Sequence, residues 1–271
     1  MLGSKLPVIG IHHAFGDYQR KSRQLFANLF RKRLYLFGVS DAVRDDLRAC
    51  LPGWPQQRIQ TLYNRIDLDA VQSEQLSRSA ARQALGLPSQ AWVIGNVGRL
   101  HPDKDQETLI RAFADALPTL PVNSLLVIAG EGRLEARLKT LVGELGIGDQ
   151  VRFLGQVPQA RRYFKAFDMF ALSSDHEPFG MVLLEAMAAG LPVVCSDCGG
   201  GREVVGEKGQ LFTFGDWHAL SASLQSVASA QQRELEQLRE DMHGWLESRF
   251  VDSAVAPRFF ATLSGWQACR L

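Results

Sequence analysis

From residue 91 onward, short apolar segments alternate with longer segments of helical periodicity, and this alternation constrains the fold more than any other feature. Near-continuous apolar segments predict strands that are buried on both faces. Such strands are predicted at 92–98, 124–129, 151–154, 169–172, 193–195 and 210–212, and helices at 105–117, 133–145, 160–167, 181–189 and 217–230. The alternation predicts an α/β fold with a doubly wound parallel sheet, whose ligands lie beyond the carboxyl ends of the strands.

The rest of the chain is less regular. Strands are predicted at 7–11 and 34–40, and helices at 18–30, 41–51 (with Ser40 as N-cap), 231–247 and 250–266. A polar segment at 67–79 has the character of a linker. The expected organisation is the tail end of an N-terminal Rossmann-like domain (1–65), a linker (66–90), a complete C-terminal domain (91–250) and a C-terminal helix that packs back toward the N-terminal part (251–271).

The segment 173–203 carries the densest group of chemically informative residues. An acid-proline-aromatic-glycine turn, from Glu177 to Gly180, separates a strand from a helix that begins at Met181. Unpaired N–H groups at a helix start attract phosphate, and a glycine there lets an anion approach closely. Glu177 lies where a ligand beyond the strand is expected. Glu185 lies about two turns into the helix, where its carboxylate can accept hydrogen bonds from a ribose diol. Taken singly, each glutamate is more simply explained as a solvated surface residue.

A second group follows the first predicted strand of the same domain. Gly98 and Arg99 precede Lys104, and the two cations form a compact clamp that can neutralise a diphosphate. On its own, this pattern is better explained as a structural turn with surface charges.

Together the two groups resemble the signatures of glycosyltransferase family 4, E-x-F-G-x-x-x-x-E-A-M-A-x-G-x-P-V-V followed by G-G-x-x-E-V-V, and G-R-L-x-x-x-K-[DG]. The first signature, with its E-x7-E pair, is matched at Glu177, Phe179, Gly180, Glu185, Ala186, Met187, Ala188, Gly190, Pro192, Val193, Val194, Gly199, Gly200, Glu203, Val204 and Val205. The resemblance implies a GT-B fold and a retaining transfer of a hexose from a nucleotide-diphosphate sugar, with a UDP-sugar as the first expectation. The implied acceptor is a glycan or a lipid-linked glycan of the cell envelope, such as lipopolysaccharide core. No metal, other cofactor or protein nucleophile is implied.

The resemblance also assigns roles to individual residues. The implied catalytic residues are Glu177, Arg99, Lys104 and His13, and the implied nucleotide-sugar contacts are Gly98, Arg99, Lys104, Gly130, Val157, Phe179, Gly180, Met181 and Glu185. In this scheme Arg99 and Lys104 hold the diphosphate, Glu185 holds the ribose and Glu177 holds the hydroxyl groups of the sugar.

Three of these roles come from shorter stretches. Gly130 belongs to a stretch similar to V-I-A-G-x-G, and Val157 to one similar to F-L-G-x-V-P, which packs against the nucleotide base. His13 ends a stretch that resembles P-V-V-x-T-x-H and would face the transferred sugar. His12 is the alternative register, and a structural histidine explains the position as well as either.

The resemblance departs from the family at the N-terminus. The family's N-terminal domain is a full α/β domain that holds the acceptor site, whereas only its last two strands and helices are predicted here, so on the order of 100 residues of a typical domain are absent. Two strands do not form a stable half-sheet alone. A misassigned start codon, a fragment, and a partner that supplies the rest all stay open. The alternative function is a non-catalytic sugar-nucleotide-binding module or an inactive truncated remnant.

Composition and motifs argue against other classes. The net charge of +1 gives no reason to expect nucleic acid as a partner. No apolar run reaches the roughly 18 residues of a membrane span, and the N-terminus lacks a secretory signal, so a cytoplasmic protein is expected. Cys195 and Cys198 lack the second pair or the histidine that a zinc site needs. A dinucleotide oxidoreductase would need G-x-G-x-x-G after its first strand, where the chain has Gly95 and Gly98 instead.

The predicted helix near residues 20–33 is strongly basic. It carries six lysines or arginines and no acidic residue, at Arg20, Lys21, Arg23, Arg31, Lys32 and Arg33. Such a face can rest on the anionic inner leaflet of a membrane, which would suit a lipid-linked acceptor. A merely solvated basic face explains it equally well.

Overall fold

The computed structural model describes residues 6–268, and within that range the chain forms two parallel β sheets with helices packed around them. The first sheet has the order β1-β2-β3, and its strands are β1 (Val8–His12), β2 (Leu34–Gly38) and β3 (Ile59–Thr61). Its helices are α1 (Lys21–Leu29) and α2 (Asp41–Cys50), and Ser40 caps α2 by accepting the N–H of Val43. The strand β3 is absent from the expectations because three residues are too few to show a period.

The segment 66–90, expected to be a linker, is folded. It holds the helices α3 (Leu68–Glu74) and α4 (Arg78–Ala84), which bury Leu68, Val71, Ala81 and Arg82. Seven-residue helices span only two turns, so their apolar period is too short to stand out from a polar background.

The second sheet contains six strands in the order β6-β5-β4-β7-β8-β9, all parallel. They are β4 (Trp92–Val97), β5 (Ser124–Ala129), β6 (Val151–Gly155), β7 (Met169–Leu172), β8 (Val193–Ser196) and β9 (Gln210–Phe212). The surrounding helices are α5 (Gln106–Ala116), α6 (Glu135–Glu144), α7 (Met181–Ala188), α8 (Gly199–Val205) and α9 (Trp217–Ser229), with a 3-10 helix at Ala160–Ala166. The predicted doubly wound parallel sheet is therefore confirmed, and each predicted strand of this region is present.

The strand order creates a reversal at the middle of the second sheet. From β4 the chain moves outward through β5 and β6, and then returns to place β7 on the other side of β4. The loops that leave β4 and β7 at their carboxyl ends therefore diverge and open a crevice, which is where ligands bind in sheets of this kind.

A buried arginine ties the folded 66–90 segment to the second sheet. Arg82 is 2% exposed, and its guanidinium donates to the carbonyls of Ala166, Pro88 and Ser89 and to the Asp168 carboxylate at 2.9 Å. Because these four acceptors surround the guanidinium, the burial of its charge is compensated.

Two long helices complete the chain. The helix α10 (Gln232–Arg249) packs against α7, and α11 (Asp252–Ala268) reaches the first sheet, where the ring of Phe259 lies 5.6 Å from that of Phe37. The final residues of the expected 251–271 helix, Cys269 among them, lie outside the described residues. Among the described helices, none is long and apolar enough to cross a membrane.

Candidate functional site

The loops after β4 and β7 are joined by hydrogen bonds to backbone carbonyls. The hydroxyl of Ser173 donates to the carbonyls of Lys104 (3.0 Å) and Asp105 (2.8 Å), and the N–H of Asp175 donates to the carbonyl of Asp103 (3.0 Å). The two loops are therefore held side by side at the crevice. Sequence reasoning missed this role of Ser173 in joining the loops, since serines in a loop give no distinct signal.

Lys104 and Glu177 form an ion pair in this crevice. The Lys104 Nζ lies 2.7 Å from Glu177 Oε2, and the two side chains are 17% and 10% exposed. The hydroxyl of Ser174 donates to the same carboxylate oxygen at 3.3 Å. A half-buried cation and a buried hydrogen-bond acceptor are thus presented side by side, and an anion that competes for the lysine would free the carboxylate to accept hydroxyl groups.

Arg99 lies at the rim of the crevice. Its side chain is 71% exposed and its guanidinium is 3.3 Å from a carboxylate oxygen of Asp103. The structure therefore brings Lys104 and Glu177 together and leaves Arg99 in solvent, where a long side chain can reorient toward an anion.

The loops after β4, β5 and β6 meet around Gly130. This glycine has a φ of +140°, and a Cβ built on it would lie 2.0 Å from the Gly98 carbonyl oxygen. Its N–H donates to the Gly155 carbonyl at 2.7 Å. Val157 follows two residues later and is half-buried. Three of the predicted contact positions, Gly98, Gly130 and Val157, therefore lie along one continuous wall, and only a glycine allows the close approach of the first two.

The helix α7 begins at the crevice with an exposed start. Gly180 has a φ of +99° and precedes Met181, the first residue of the helix, which is 38% exposed. Glu185 is half-buried further along, and burial raises the pKa of its carboxyl, with a partial opposing effect from Arg161. None of the described residues forms a hydrogen bond to the Glu185 carboxylate, so a ligand hydroxyl would find it unsatisfied.

The ring of Phe179 lies in the core. Its side chain is 3% exposed and packs against the rings of Tyr63 and Phe250 at 6.1 and 5.8 Å. An aromatic residue beside a glycine turn can be a stacking surface or a core anchor, and here it is a core anchor. Any contact of Phe179 with a ligand would have to come from its backbone.

The two histidines lie at the end of β1 and directly after it. His12 is half-buried, and its Nδ1 lies 2.7 Å from an Asp17 carboxylate oxygen. His13 is exposed and lines a cavity of about 320 Å³ between the first sheet and α11. No contact among the described residues joins His13 to Lys104 or Glu177.

Three glycines bring the helix α8 against the turn that carries Glu177. The N–H of Gly200 donates to the Glu177 carbonyl at 2.8 Å, and a Cβ on Gly200 would lie 2.4 Å from the Pro178 carbonyl oxygen. One turn later, the Glu203 carboxylate accepts the N–H groups of Asp41 and Ala42 at the start of α2. The sequence pattern matched these glycines and this glutamate but did not predict which contacts they make.

The cysteine pair is structural in its contacts. Cys195 is fully buried, and the Cys198 thiol donates to the Ser174 carbonyl at 2.9 Å. Burial raises the pKa of both thiols. Over residues 6–268, no group of three or more histidines, cysteines or acidic residues is arranged to hold a metal ion.

Comparison with known proteins identifies the family of the chain. The sequence model described as "Glycosyl transferases group 1" matches residues 77–243, which is more than half of the chain. Similar curated proteins include the "Uncharacterized glycosyltransferase MJ1607" of Methanocaldococcus jannaschii, 37% identical over 158 residues, covering 56% of this chain and 39% of the relative. The "Lipopolysaccharide core biosynthesis glycosyltransferase LpsE" of Rhizobium meliloti is 31% identical over 185 residues, covering 68% and 53%. The chain thus spans between 39% and 53% of the length of these two relatives.

Solved structures agree with the fold. The Anabaena protein Alr3699/HepE, crystallised with UDP, aligns with a TM-score of 0.80 at 25% identity and covers 96% of this chain and 72% of its own. Its complex with UDP-glucose aligns with a TM-score of 0.78. The α/β architecture with parallel sheets and these alignments confirm the expected GT-B fold. The chain belongs to the group 1 family of glycosyl transferases.

Proposed function

We propose that the chain is the donor-binding part of a retaining glycosyltransferase of family 4, which moves a hexose from a nucleotide-diphosphate sugar to a glycan or lipid-linked acceptor. The observation that carries the proposal is the Lys104–Glu177 pair, 2.7 Å apart at the strand reversal of the second sheet and beside the exposed start of α7. A cation and a helix N-terminus at one crevice form a diphosphate site, and the adjacent carboxylate adds an acceptor for hydroxyl groups.

In this proposal the leaving diphosphate is stabilised by groups that are already positioned. Lys104 would exchange its contact with Glu177 for a phosphate oxygen, and Arg99 would turn in from the rim. The N–H groups at Gly180 and Met181 would hold the second phosphate. Negative charge grows on the diphosphate as the sugar bond breaks, so these cations and dipoles lower the energy of the transition state more than that of the ground state.

The glutamates would hold the two sugars of the donor. Glu177, released from Lys104, accepts hydroxyl groups of the hexose, and Glu185 accepts those of the ribose. Gly98, Gly130 and the backbone around Val157 form the wall for the base. His13 would approach the hexose only from the first sheet. The acceptor hydroxyl would attack on the face of the leaving group, so that no protein nucleophile, metal or other cofactor takes part.

The classes of donor and acceptor follow from the relatives. A UDP-sugar is proposed as donor because the structurally similar Anabaena protein binds UDP and UDP-glucose. An envelope glycan such as lipopolysaccharide core is proposed as acceptor because a similar curated protein is a lipopolysaccharide core glycosyltransferase.

A peripheral contact with an anionic membrane, on the cytoplasmic inner face, is part of the proposal. The helix α1 exposes Leu25 (72%) and Leu29 (71%) beside the basic residues of segment 20–33. Apolar and basic side chains on one helix suit an anionic bilayer surface. Cosedimentation with vesicles that increases with anionic lipid content supports this contact, and binding that is insensitive to it excludes the contact.

A non-catalytic sugar-nucleotide-binding module is the alternative. It is favoured by one observation: among the described residues, no contact joins His13 to the Lys104–Glu177 pair. This alternative expects UDP-glucose to bind without turnover.

The experiment is the release of UDP from UDP-glucose, measured with and without envelope glycan acceptors. We expect release by the wild type and a loss of roughly 100-fold or more in turnover with Glu177→Gln, since the group acts on the reacting sugar. Glu144→Gln, at an exposed position of α6, is the matched control. Equal turnover of the two variants would remove Glu177 from the mechanism, and binding without any release would favour the module.

A further inference from the structure

We propose that Glu203 is a positioning residue that holds the first sheet in a fixed orientation over the crevice of the second sheet. It does so by capping α2, a helix of the first sheet, from the opposite half of the chain. The importance of that orientation for sugar transfer rests on the proposed function, whereas the joint itself does not.

The cap consists of two short hydrogen bonds. The N–H of Asp41 donates to Glu203 Oε2 at 2.7 Å, and the N–H of Ala42 donates to Oε1 at 2.8 Å. These are the first two amides of α2, and amides at that position have no partner within their own helix. The next one, from Val43, is satisfied locally by the Ser40 hydroxyl at 3.0 Å. The local N-cap, Ser40, therefore does not depend on Glu203. The two remaining amides are satisfied by Glu203, which lies 161 to 162 positions further along the chain.

The other end of the joint is the turn that carries Glu177. Glu203 lies on α8, a helix of seven residues, whose Gly200 donates its N–H to the Glu177 carbonyl at 2.8 Å. A Cβ on Gly200 would lie 2.4 Å from the Pro178 carbonyl oxygen, so α8 cannot move toward this turn or accept a larger residue there. One short helix thus connects α2 to the crevice through contacts one turn apart, and a shift of either half is passed to the other.

The surroundings explain why a carboxylate is used. Glu203 is half-buried, and burial raises the pKa of its carboxyl while the two amide hydrogen bonds oppose that rise. The positive end of the α2 dipole faces the carboxylate and favours its charged form. The Asp41 carboxylate contacts Arg44 and Thr61, and its charge adds to the rise in the pKa of Glu203. The joint is therefore a charged acceptor on a helix start, which is a directional contact, in contrast to apolar packing, which permits sliding.

The first test measures the joint without any reaction. Hydrogen exchange at individual amides is compared between Glu203→Ala and Glu207→Ala, an exposed glutamate just beyond α8. We expect exchange at Asp41 and Ala42 to accelerate about tenfold or more with Glu203→Ala alone, while the Val43 amide, held by Ser40, changes little. A larger radius of gyration by small-angle scattering should accompany it. Unchanged exchange and scattering would overturn the proposal.

A second pair of variants tests the donor side of the joint: it removes a backbone N–H of α2 and leaves Glu203 unchanged. Asp41→Pro removes one N–H at the first position of α2, where proline is tolerated and where Ser40 is already extended, with φ −148° and ψ 166°. Asp41→Ala loses the same side chain but keeps the N–H. Asp41→Pro should therefore show the larger radius of gyration and Asp41→Ala should not. Equal values for the two would count against the joint.

Turnover separates positioning from simple stabilisation. With Glu203→Ala we expect the kcat for UDP-glucose to fall about tenfold while the Kd for UDP stays within about twofold, because the crevice lies on the second sheet. An unchanged kcat beside accelerated exchange would reduce Glu203 to a helix cap and overturn its positioning role. If the wild type neither binds UDP nor turns over UDP-glucose, the proposed function fails, and the exchange and scattering results still decide the joint.

Discussion

The two sheets end in very different surroundings. At the carboxyl edge of the second sheet, the side chains form a connected set: Lys104 contacts Glu177, Ser173 joins the two loops, and Gly130 packs against Gly98. Beyond the first sheet, His13 is exposed, and Ile9 and Ile11 on β1 are 39% and 48% exposed. A site is preorganised where its supporting shell is packed, and the loops of the second sheet are joined by such contacts whereas β1 is open to solvent on one face.

The largest effect expected from a single change concerns the support of the second sheet. Arg82→Met should lower the free energy of unfolding by about 3–5 kcal/mol, since it leaves three carbonyls without their buried donor and removes one of the donors to the Asp168 carboxylate. Arg78→Met is the matched control, because Arg78 binds the same carboxylate at 2.7 Å but is 48% exposed, and about 0–1 kcal/mol is expected. Urea unfolding measures both. Similar losses would mean that the buried arginine is not what holds this half together.

The next largest effect on stability is expected at Gly130, in the wall of the crevice. Gly130→Ala should cost about 2–4 kcal/mol, because its Cβ would meet a backbone oxygen in a strained conformation. Gly148→Ala, where a Cβ would meet nothing within 4 Å, should change stability by less than about 0.5 kcal/mol. Thermal unfolding of the two variants is the measurement. If Gly130→Ala melts like Gly148→Ala, the three loops are not packed as closely as described.

A smaller effect of opposite sign is expected at Glu185. Burial raises the pKa of this carboxyl in the folded chain, so its contribution to stability is greatest below its unfolded pKa and is lost as pH rises through the folded pKa. Glu185→Gln should therefore raise the Tm by roughly 1–3 °C near neutral pH. The gain should shrink as pH falls through the raised pKa, because the wild-type group then becomes protonated.

Melting curves at several pH values test the sign, with Glu144→Gln as the exposed control. A gain that is equal at every pH would mean that the burial of a charge is not its cause. The same Glu185→Gln variant should weaken nucleotide binding, which would show that the unsatisfied carboxylate serves a ligand.

The smallest effect on stability is expected for the exposed leucines of α1. Leu25→Gln and Leu29→Gln should each change the free energy of unfolding by less than about 0.5 kcal/mol, because side chains that are 72% and 71% exposed lose little by becoming polar. Denaturant titration in dilute solution is the measurement. A loss above about 1.5 kcal/mol would mean that these side chains are covered in solution, and the contrast between the halves would then be weaker than described.

Sequence reasoning reached the second sheet more completely than the first. Strands such as Met169–Leu172 are uniformly apolar and bounded by turn residues, so they are visible from composition alone. Two motifs at the ends of strands singled out Lys104 and Glu177, but the ion pair between them was not predicted. The orientation of Arg99 and the burial of the Phe179 ring did not, because side-chain direction depends on neighbours that are distant in sequence.

The missed features share one physical cause. Glu203 contacts an amide 162 positions away, and Gly200 is required by a carbonyl of another loop, so neither leaves a local pattern. The helices α3 and α4 were hidden because two turns do not establish a period. The choice between His12 and His13 could not be made from the sequence, and the division of the chain into domains stays a prediction.

The central claim is that the second sheet carries a preassembled site for a nucleotide diphosphate, and ligand-induced thermal stabilisation tests it most directly. UDP, GDP and ADP are each added to the wild type, to the double variant Arg99→Ala with Lys104→Ala, and to Arg137→Ala with Lys139→Ala, an exposed pair of equal charge on α6. A ligand that binds only the folded state adds about 2.7 kcal/mol at a hundredfold excess over Kd. We expect one nucleotide, UDP first, to raise the Tm by several degrees in the wild type and the α6 control but not in the crevice variant. No stabilisation by any nucleotide, or equal stabilisation of the crevice variant, would contradict the claim.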